Sequence, residues 1–171
     1  EFVFDASLLD GKQVVAMEQL SDPKLNGVNG SVTVLASHED MDDEAQSIYF
    51  PALRTKAVAD DTGKRMTEAD GEVTITDTVD YSNVIAGKVY VLKGTLMDKE
   101  TGKPLRSHGK DITSSVSFRA EKDGPVFAEA GEELTERAED GVSLVSGTVE
   151  IKFRFDGSDL TGKKAVVFEK L

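Results

Sequence analysis

Two stretches of this chain, one near each end, repeat each other and set the size of its folding unit. Residues 2–20 read FVFDASLLDGKQVVAMEQL and residues 153–171 read FRFDGSDLTGKKAVVFEKL, and ten of these 19 positions are identical without a gap. The two copies begin 151 residues apart, a spacing that is too long for a solenoid repeat and suits a whole domain. We therefore expect the chain to start near the end of one module and to stop near the equivalent point of the next.

The boundary between the two modules is expected around residues 49–53. Pro51 interrupts the strand pattern there, because proline has no amide hydrogen to donate to a neighbouring strand. Residues 1–50 would then be the last strands of one module. Residues 51–171 would be the following module without its closing strand.

Alternation of apolar and polar residues predicts β-strands along most of the chain. It is clearest in SVTVLASH, EVTITDTVDY, KVYVLKGTLMD and TVEIKFRFD, and the second places Val73, Ile75, Asp77 and Val79 on one face. The stretches DDTGKR and DKETGKPL are typical of turns in which glycine adopts a positive φ. Only the acidic stretch 128–140, AEAGEELTERAED, has a helical pattern. The predicted fold is an all-β, Ig-like sandwich with Greek-key connections and a short acidic insertion that is helical.

Composition excludes several classes of function. The net charge is −12, and no basic stripe is present that would neutralise nucleic-acid phosphates or bind an anionic membrane surface. No apolar run approaches the roughly 18 residues of a membrane span. The chain has no cysteine, so its stability cannot depend on disulfides, and thiolate metal sites and thiol nucleophiles are absent.

The acidic run HEDMDDEAQ, residues 38–46, precedes a strand-like SIYF. His38 continues the face of Val32, Val34 and Ala36, which predicts an inward position at the end of a strand. A solvated loop is the ordinary interpretation of the run. Calcium is a weaker alternative, because the ligand spacing of an EF-hand and its twelfth-position glutamate are missing.

Three further polar residues lie on otherwise apolar strand faces. Glu18 and its repeat partner Glu169 each follow an apolar run, VVAM and AVVF. A carboxyl on such a face loses solvation, which raises its pKa and suits it to proton transfer near neutral pH. Thr55 shares a face with Leu53 and Ala57, an inward position for a hydroxyl.

Longer segments resemble a known family. TVDYSNVIAGKVYVLKGTLMDKETGKPL and the downstream FRFDGSDLTGKKAVVFEKL resemble the VaFE repeats of Gram-positive surface proteins, the T-Q ester-bond domains of bacterial adhesins. The resemblance covers residues 53–171 and, for the preceding module, residues 1–50. It is specific because several separated motifs occur in the same order.

The resemblance implies a site. Such domains are Ig-like sandwiches in which an ester between a threonine and a glutamine side chain joins the first and last strands. Thr55 would be the ester-forming threonine of the second module, and Gln46 the ester-forming glutamine of the first. His38 and Asp43 match the catalytic histidine and aspartate positions. Glu18 and Glu169 match the glutamate of the V-x-F-E motif, although Met17 replaces its phenylalanine before Glu18.

The implied chemistry is a single-turnover reaction without a metal or cofactor, so the chain would not be an enzyme in the usual sense. His38 would take or relay the threonine proton, and the glutamate and aspartate carboxyls would polarise the amide and stabilise the oxyanion. Ammonia would leave. The resemblance implies a structural stalk domain of an extracellular, cell-wall-anchored adhesin, next to other modules of the same protein.

Each of the two ester-forming residues lacks its natural partner in this sequence. Thr55 needs a glutamine strand after Leu171, and Gln46 needs a threonine strand before Glu1. Thr55 and Gln46 are only nine residues apart, whereas a parallel strand pair needs a crossover of about a dozen residues or more. Three possibilities follow: the ester is absent, it forms between two copies of the chain by strand complementation, or the natural protein is longer.

Two other functions are weighed. The insertion at residues 121–147 would let the chain act as a ligand-binding adhesin module for a host glycan or protein. A hydrolase using His38 with Asp43 or Glu18 is disfavoured, because the chain has no G-x-S-x-G nucleophile motif.

Overall fold

The computed structural model describes residues 1–22, 24, 32–137 and 143–171. The chain forms two compact units, Glu1–Phe50 and Pro51–Leu171, which are called unit 1 and unit 2 below. In the part of the chain that the structure describes, no helix has the length and hydrophobicity that a membrane span requires.

Unit 2 is a sandwich of two three-stranded antiparallel sheets. Its strands are β5 (Ala52–Ala59), β6 (Val73–Ile85), β7 (Val89–Asp98), β8 (Arg106–Ser107), β9 (Lys110–Asp111), β10 (Thr113–Arg119), β11 (Leu144–Phe155) and β12 (Ala165–Lys170). One sheet has the order β11-β6-β5 and the other β10-β7-β12, while β8 and β9 form a separate hairpin. This arrangement confirms the predicted all-β, Ig-like sandwich.

The core of unit 2 lies between the two sheets. Alternate residues of β6 and β11 face alternate residues of β7 and β10, as the sequence pattern requires. Phe118 and Phe153 are fully buried, and the rings of Tyr81 and Phe118 are 5.0 Å apart. Replacing either phenylalanine with alanine is expected to cost about 3–5 kcal/mol of stability.

Unit 1 consists of two strand pairs. Its strands are β1 (Gln13–Val15), β2 (Glu18–Ser21), β3 (Val34–His38) and β4 (Ser47–Tyr49), and a 3₁₀ turn spans Glu44–Gln46. β1 pairs with β4 and β2 pairs with β3, both antiparallel. None of the residues described in this unit is buried, so the unit has strand pairing without a hydrophobic core.

The turns follow the sequence prediction, whereas the helix prediction is wrong. Gly63 and Gly102 in the two predicted turns have φ values of 62° and 66°, which glycine adopts without steric cost. Residues 128–137 form turns and irregular structure, and residues 138–140 of the predicted helix lie outside the described residues. The Nη1 of Arg119 donates to the carbonyl of Thr135 at 2.9 Å, so contacts with the sandwich fix this segment.

Candidate functional site

The centre of the candidate site is a pair of carboxyls that meet inside unit 2. Asp77 lies in the middle of β6 and is completely buried, and Glu169 lies on β12 in the opposite sheet. Both carboxylate oxygens of Asp77 and the Oε1 of Glu169 are buried without a conventional donor among the described residues. Two ionised carboxylates side by side repel each other, which favours the protonated form of one of them.

The electrostatics of Glu169 favour its protonated form. Burial, a hydrogen bond to Asp77 and the negative charge of Asp77 raise the pKa of Glu169 to about 8, and a hydrogen bond with Thr55 opposes the rise. Glu169 is therefore the proton carrier of the pair at neutral pH. A carboxyl that remains protonated near pH 7 is able to act as a general acid or as a donor to a developing negative charge.

Thr55 stands beside this pair. It lies on β5 opposite Val79, and its neighbour Ala57 lies opposite Asp77. Thr55 and Asp77 are therefore diagonal neighbours on one face of the sheet. The face is the predicted one, but Thr55 is exposed rather than buried, because β5 is the edge strand of its sheet.

The exposed side of Thr55 opens into a cleft of about 560 Å³ between the edges of β5 and β12. Thr55 and Ala57 line one wall, and Ala165 and Val167 line the other. The cleft leaves room for an incoming group to reach the threonine hydroxyl next to the Asp77–Glu169 pair. We call this region, from the edge of β5 to the outer edge of β12, the open side of unit 2.

A second group of predicted residues comes together in unit 1. The Nε2 of His38 lies 3.0 Å from the Oδ2 of Asp43. The other oxygen of Asp43 accepts from the amide of Ala45 at 2.8 Å, which fixes the carboxylate at the start of the 3₁₀ turn. Asp43 therefore orients the imidazole, as a carboxylate does for a histidine base.

Glu18 and Gln46 border this His38–Asp43 pair. Glu18 is the cross-strand partner of His38, and the Gln46 carbonyl accepts from the amide of Ala16 at 3.0 Å. The side chain of His38 is 49% exposed and Glu18 is exposed as well. Neither has the inward, desolvated position that its strand face predicts, because unit 1 has no core to bury it.

Two aspartates of the acidic run are engaged in local contacts. Asp40 accepts from the amide of Asp42 at 2.9 Å, and Asp43 is engaged with His38. Within the described ranges, no three acidic or histidine side chains converge as metal ligands.

Asp77 was not among the residues that the sequence singled out. Its signal was present, since the pattern places it on the apolar face of Val73, Ile75 and Val79. An aspartate on such a face is expensive to bury without a partner. That partner, Glu169, is far away in sequence and in the other sheet, so only the fold brings the two together.

Comparisons with known proteins relate the chain to one family. The family model "T-Q ester bond containing domain" matches residues 1–50 and again residues 51–170. A similar solved structure is a bacterial adhesin from Mobiluncus mulieris that contains intramolecular disulfide, isopeptide and ester bond cross-links. It is 21% identical, with a TM-score of 0.49, and the alignment covers 70% of this chain and 43% of that chain. No curated protein was found to match.

Because the family model accounts for nearly the whole chain in two adjacent matches, the chain belongs to the family of T-Q ester bond containing domains.

Proposed function

We propose that this chain is a structural stalk domain of a cell-surface adhesin, stabilised by a Thr–Gln ester that its own residues form. The observation that supports it best is the buried Asp77–Glu169 pair next to the hydroxyl of Thr55. A structural sandwich does not need two carboxyls facing each other in its interior, because such a pair is costly to bury. A site that must donate a proton near pH 7 does need them.

The reaction joins Thr55 to a glutamine carboxamide of the Gln46 type. The Oγ of Thr55 attacks the carboxamide carbon, the new C–O bond forms, and the C–N bond breaks. The hydroxyl proton ends on the departing nitrogen, which leaves as ammonia. A carboxamide is a poor electrophile, so the proton on Glu169 stabilises the negative charge that develops on its oxygen.

His38 and Asp43 supply the complementary function in this proposal. A histidine in the position of His38, held by an aspartate as Asp43 holds His38 at 3.0 Å, takes the threonine proton and passes it to the leaving nitrogen. The same glutamine-bearing segment, residues 38–46, thus carries both the electrophile and the base. Each chain completes one reaction and remains modified, so it is a single-turnover catalyst of its own cross-link.

The product suits an extracellular, cell-wall-anchored adhesin. An ester between terminal strands closes most of a module into one covalent loop. By analogy with a disulfide, closing a loop of about 100 residues stabilises the fold by about 4–5 kcal/mol. A chain without cysteine would obtain in this way the cross-link that disulfides give other surface proteins.

Intact-mass spectrometry tests the proposal. Each ester removes one ammonia, so a cross-linked species, whether a monomer or a denaturation-resistant oligomer, should be lighter by about 17 Da per bond. Thr55→Ala should abolish the deficit, and Asp77→Asn should reduce it with Thr55 still in place. Thr113→Ala, at an exposed threonine of β10, is the matched control. A full mass in every species of the unaltered chain, or a deficit that survives Thr55→Ala, would refute the ester at this site.

A further inference from the structure

We propose that unit 2 carries a glycan-binding site, a groove between β10 and β11 that binds a neutral sugar. It lies on the side of the sandwich opposite the open side of unit 2, where β10 ends one sheet and β11 ends the other. It is called the β10–β11 groove below. The groove shares no lining residue with the cleft beside Thr55, so a ligand there is independent of the ester.

The β10–β11 groove has the size of a small-molecule site. Its volume is about 610 Å³, within the roughly 300–1,000 Å³ that ligand sites occupy. Val116 of β10 and Ile151 of β11 form its floor. Ile151 is fully buried and Val116 packs against the core, so the floor is apolar and held in place by the sandwich.

An exposed aromatic ring stands beside this floor. Phe127 follows β10 in the chain and lines the groove, and it is 48% exposed, although an exposed ring forgoes the free energy of burial. A sugar ring presents C–H groups on its faces, and these are attracted to the negative face of an aromatic ring. Phe127 therefore offers a surface on which a sugar can stack.

Hydrogen bonds fix the segment that carries this ring. Val126, its neighbour in the chain, exchanges two backbone hydrogen bonds of 2.9 Å with Arg119 at the end of β10. The guanidinium of Arg119 is held in turn by Glu121 at 2.6 Å and by the carbonyl of Thr135 at 2.9 Å. The groove is therefore formed before a ligand arrives, which reduces the entropy lost on binding.

Polar groups that are not engaged elsewhere border the groove. Ser115 and Glu150 are exposed and Ser114 is half-buried, and in the described part of the chain their side chains have no hydrogen bond or ion pair. The hydroxyl of Thr148 donates to Asp80 at 2.7 Å, which leaves its oxygen as an acceptor. A carboxylate accepts from two hydroxyls at once, and a serine both donates and accepts. Adjacent hydroxyls of a sugar match this combination.

The charges of the groove favour a neutral ligand. Among the described residues, Glu150 and Lys152 are the only charged side chains of its lining, and their charges cancel. Lys152 also lies 3.9 Å from Asp60, which offsets its charge further. A sialylated or sulfated glycan would find no excess of cations here, and the chain as a whole, with a net charge of −12, repels anions.

An extended peptide added to the edge of β10 fits the groove less well. Peptides that bind in this way need a run of free backbone groups and apolar pockets for alternate side chains. The last residue of β10, Arg119, is already bonded to Val126. The wall that β10 contributes presents Ser114 and Ser115 on either side of Val116, so it offers hydroxyls where such a peptide needs apolar pockets.

A glycan array tests the site. The unaltered chain, labelled at its amino terminus, is applied to glycans that end in galactose, glucose, mannose, N-acetylglucosamine or N-acetylgalactosamine, beside sialylated and sulfated forms of the same glycans. Dense display reveals a weak single site, and binding should be confined to neutral glycans. The bound glycan is then titrated in solution. Phe127→Ala and Glu150→Gln should each weaken binding by about tenfold, through loss of stacking and of charge-assisted hydrogen bonds.

Matched controls replace similar residues outside the groove. Val91→Ala, at an exposed apolar residue of β7, and Glu132→Gln, at an exposed acidic residue, should bind as the unaltered chain does. Thr55→Ala should also bind normally, because the ester is not part of this site. Circular dichroism establishes that each variant is folded before its titration.

Four results would overturn the glycan site. They are no binding to any neutral glycan, binding confined to sialylated or sulfated glycans, an affinity that both Phe127→Ala and Glu150→Gln leave unchanged, and capture of extended peptides from a peptide array when no glycan is bound. A missing ester in the same samples would refute the cross-link and leave the glycan site standing.

Discussion

At the scale of single residues, the chemistry follows from the contact between Asp77 and Glu169, which raises the pKa of Glu169. The sequence placed Glu169 correctly on an inward-facing strand position, and it placed Asp77 on an apolar face without identifying its role. What the pattern could not contain is the distance between them, because the two carboxyls belong to strands of different sheets. For the same reason it placed Thr55 on the correct face but not at an open edge, where the hydroxyl remains accessible.

Glu169 should make stability depend on pH. In the folded chain its pKa is about 8, against an ordinary value of 4.5. Between these values the folded chain binds more protons than the unfolded chain, so the free energy of unfolding should fall as pH rises from about 4.5 to about 8 and change little above. Denaturant midpoints of a Thr55→Ala chain, measured across this range, should show the fall.

The variant that isolates this effect is Glu169→Gln in the same background. Because glutamine does not titrate, the difference in unfolding free energy between the two chains should shift with pH across the same window, in favour of the glutamine variant as pH rises. Glu132→Gln, at an exposed position, is the control and should keep the parental profile. A difference between the Glu169→Gln chain and its parent that is independent of pH would contradict the raised pKa.

At the scale of elements, strand prediction succeeded in both units, and helix prediction failed where tertiary contacts determine the backbone. The stretch 128–137 is rich in good helix formers, yet it is irregular. Arg119 binds the Thr135 carbonyl, and the amide of Arg137 donates to the carbonyl of Gly87 at 2.8 Å. These bonds replace the intrahelical bonds that a short acidic helix would need.

The close approach of the two sheets at Gly94 gives a test of the sandwich. Gly94 lies in β7 opposite Glu169, and a Cβ placed there would meet the Cζ of Phe153 at 2.5 Å and the Cδ1 of Ile151 at 3.2 Å. Both neighbours are fully buried, so neither can move without disturbing the core. Gly94→Ala should therefore reduce the free energy of unfolding by about 1–3 kcal/mol in denaturant titrations.

Gly71→Ala is the matched control for Gly94→Ala. A Cβ at Gly71 has no neighbour within 4 Å, so this variant should unfold within about 0.5 kcal/mol of its parent. A Gly94→Ala chain as stable as its parent would show that the sheets separate at β7 without cost, which would contradict close packing of Gly94 against Phe153.

At the scale of the whole molecule, the two units differ in how their strands are stabilised. Unit 2 buries side chains from both sheets, including Leu92, Leu96 and Val149. Unit 1 exposes large apolar residues such as Phe2, Leu20 and Ile48, and strand pairs without a packed face are only marginally stable in water. The two units therefore differ in what holds them together: packed side chains in unit 2 and backbone pairing in unit 1.

This difference predicts the pattern of amide hydrogen exchange. Exchange measured peptide by peptide should be fast in β1 to β4 and slow in β6, β7 and β11, because local opening needs least free energy where few apolar contacts are lost. The sample is a Thr55→Ala chain diluted until it is monomeric, so that the exchange rates reflect each unit alone. Equal protection of both units in the dilute sample would contradict the absence of a core in unit 1.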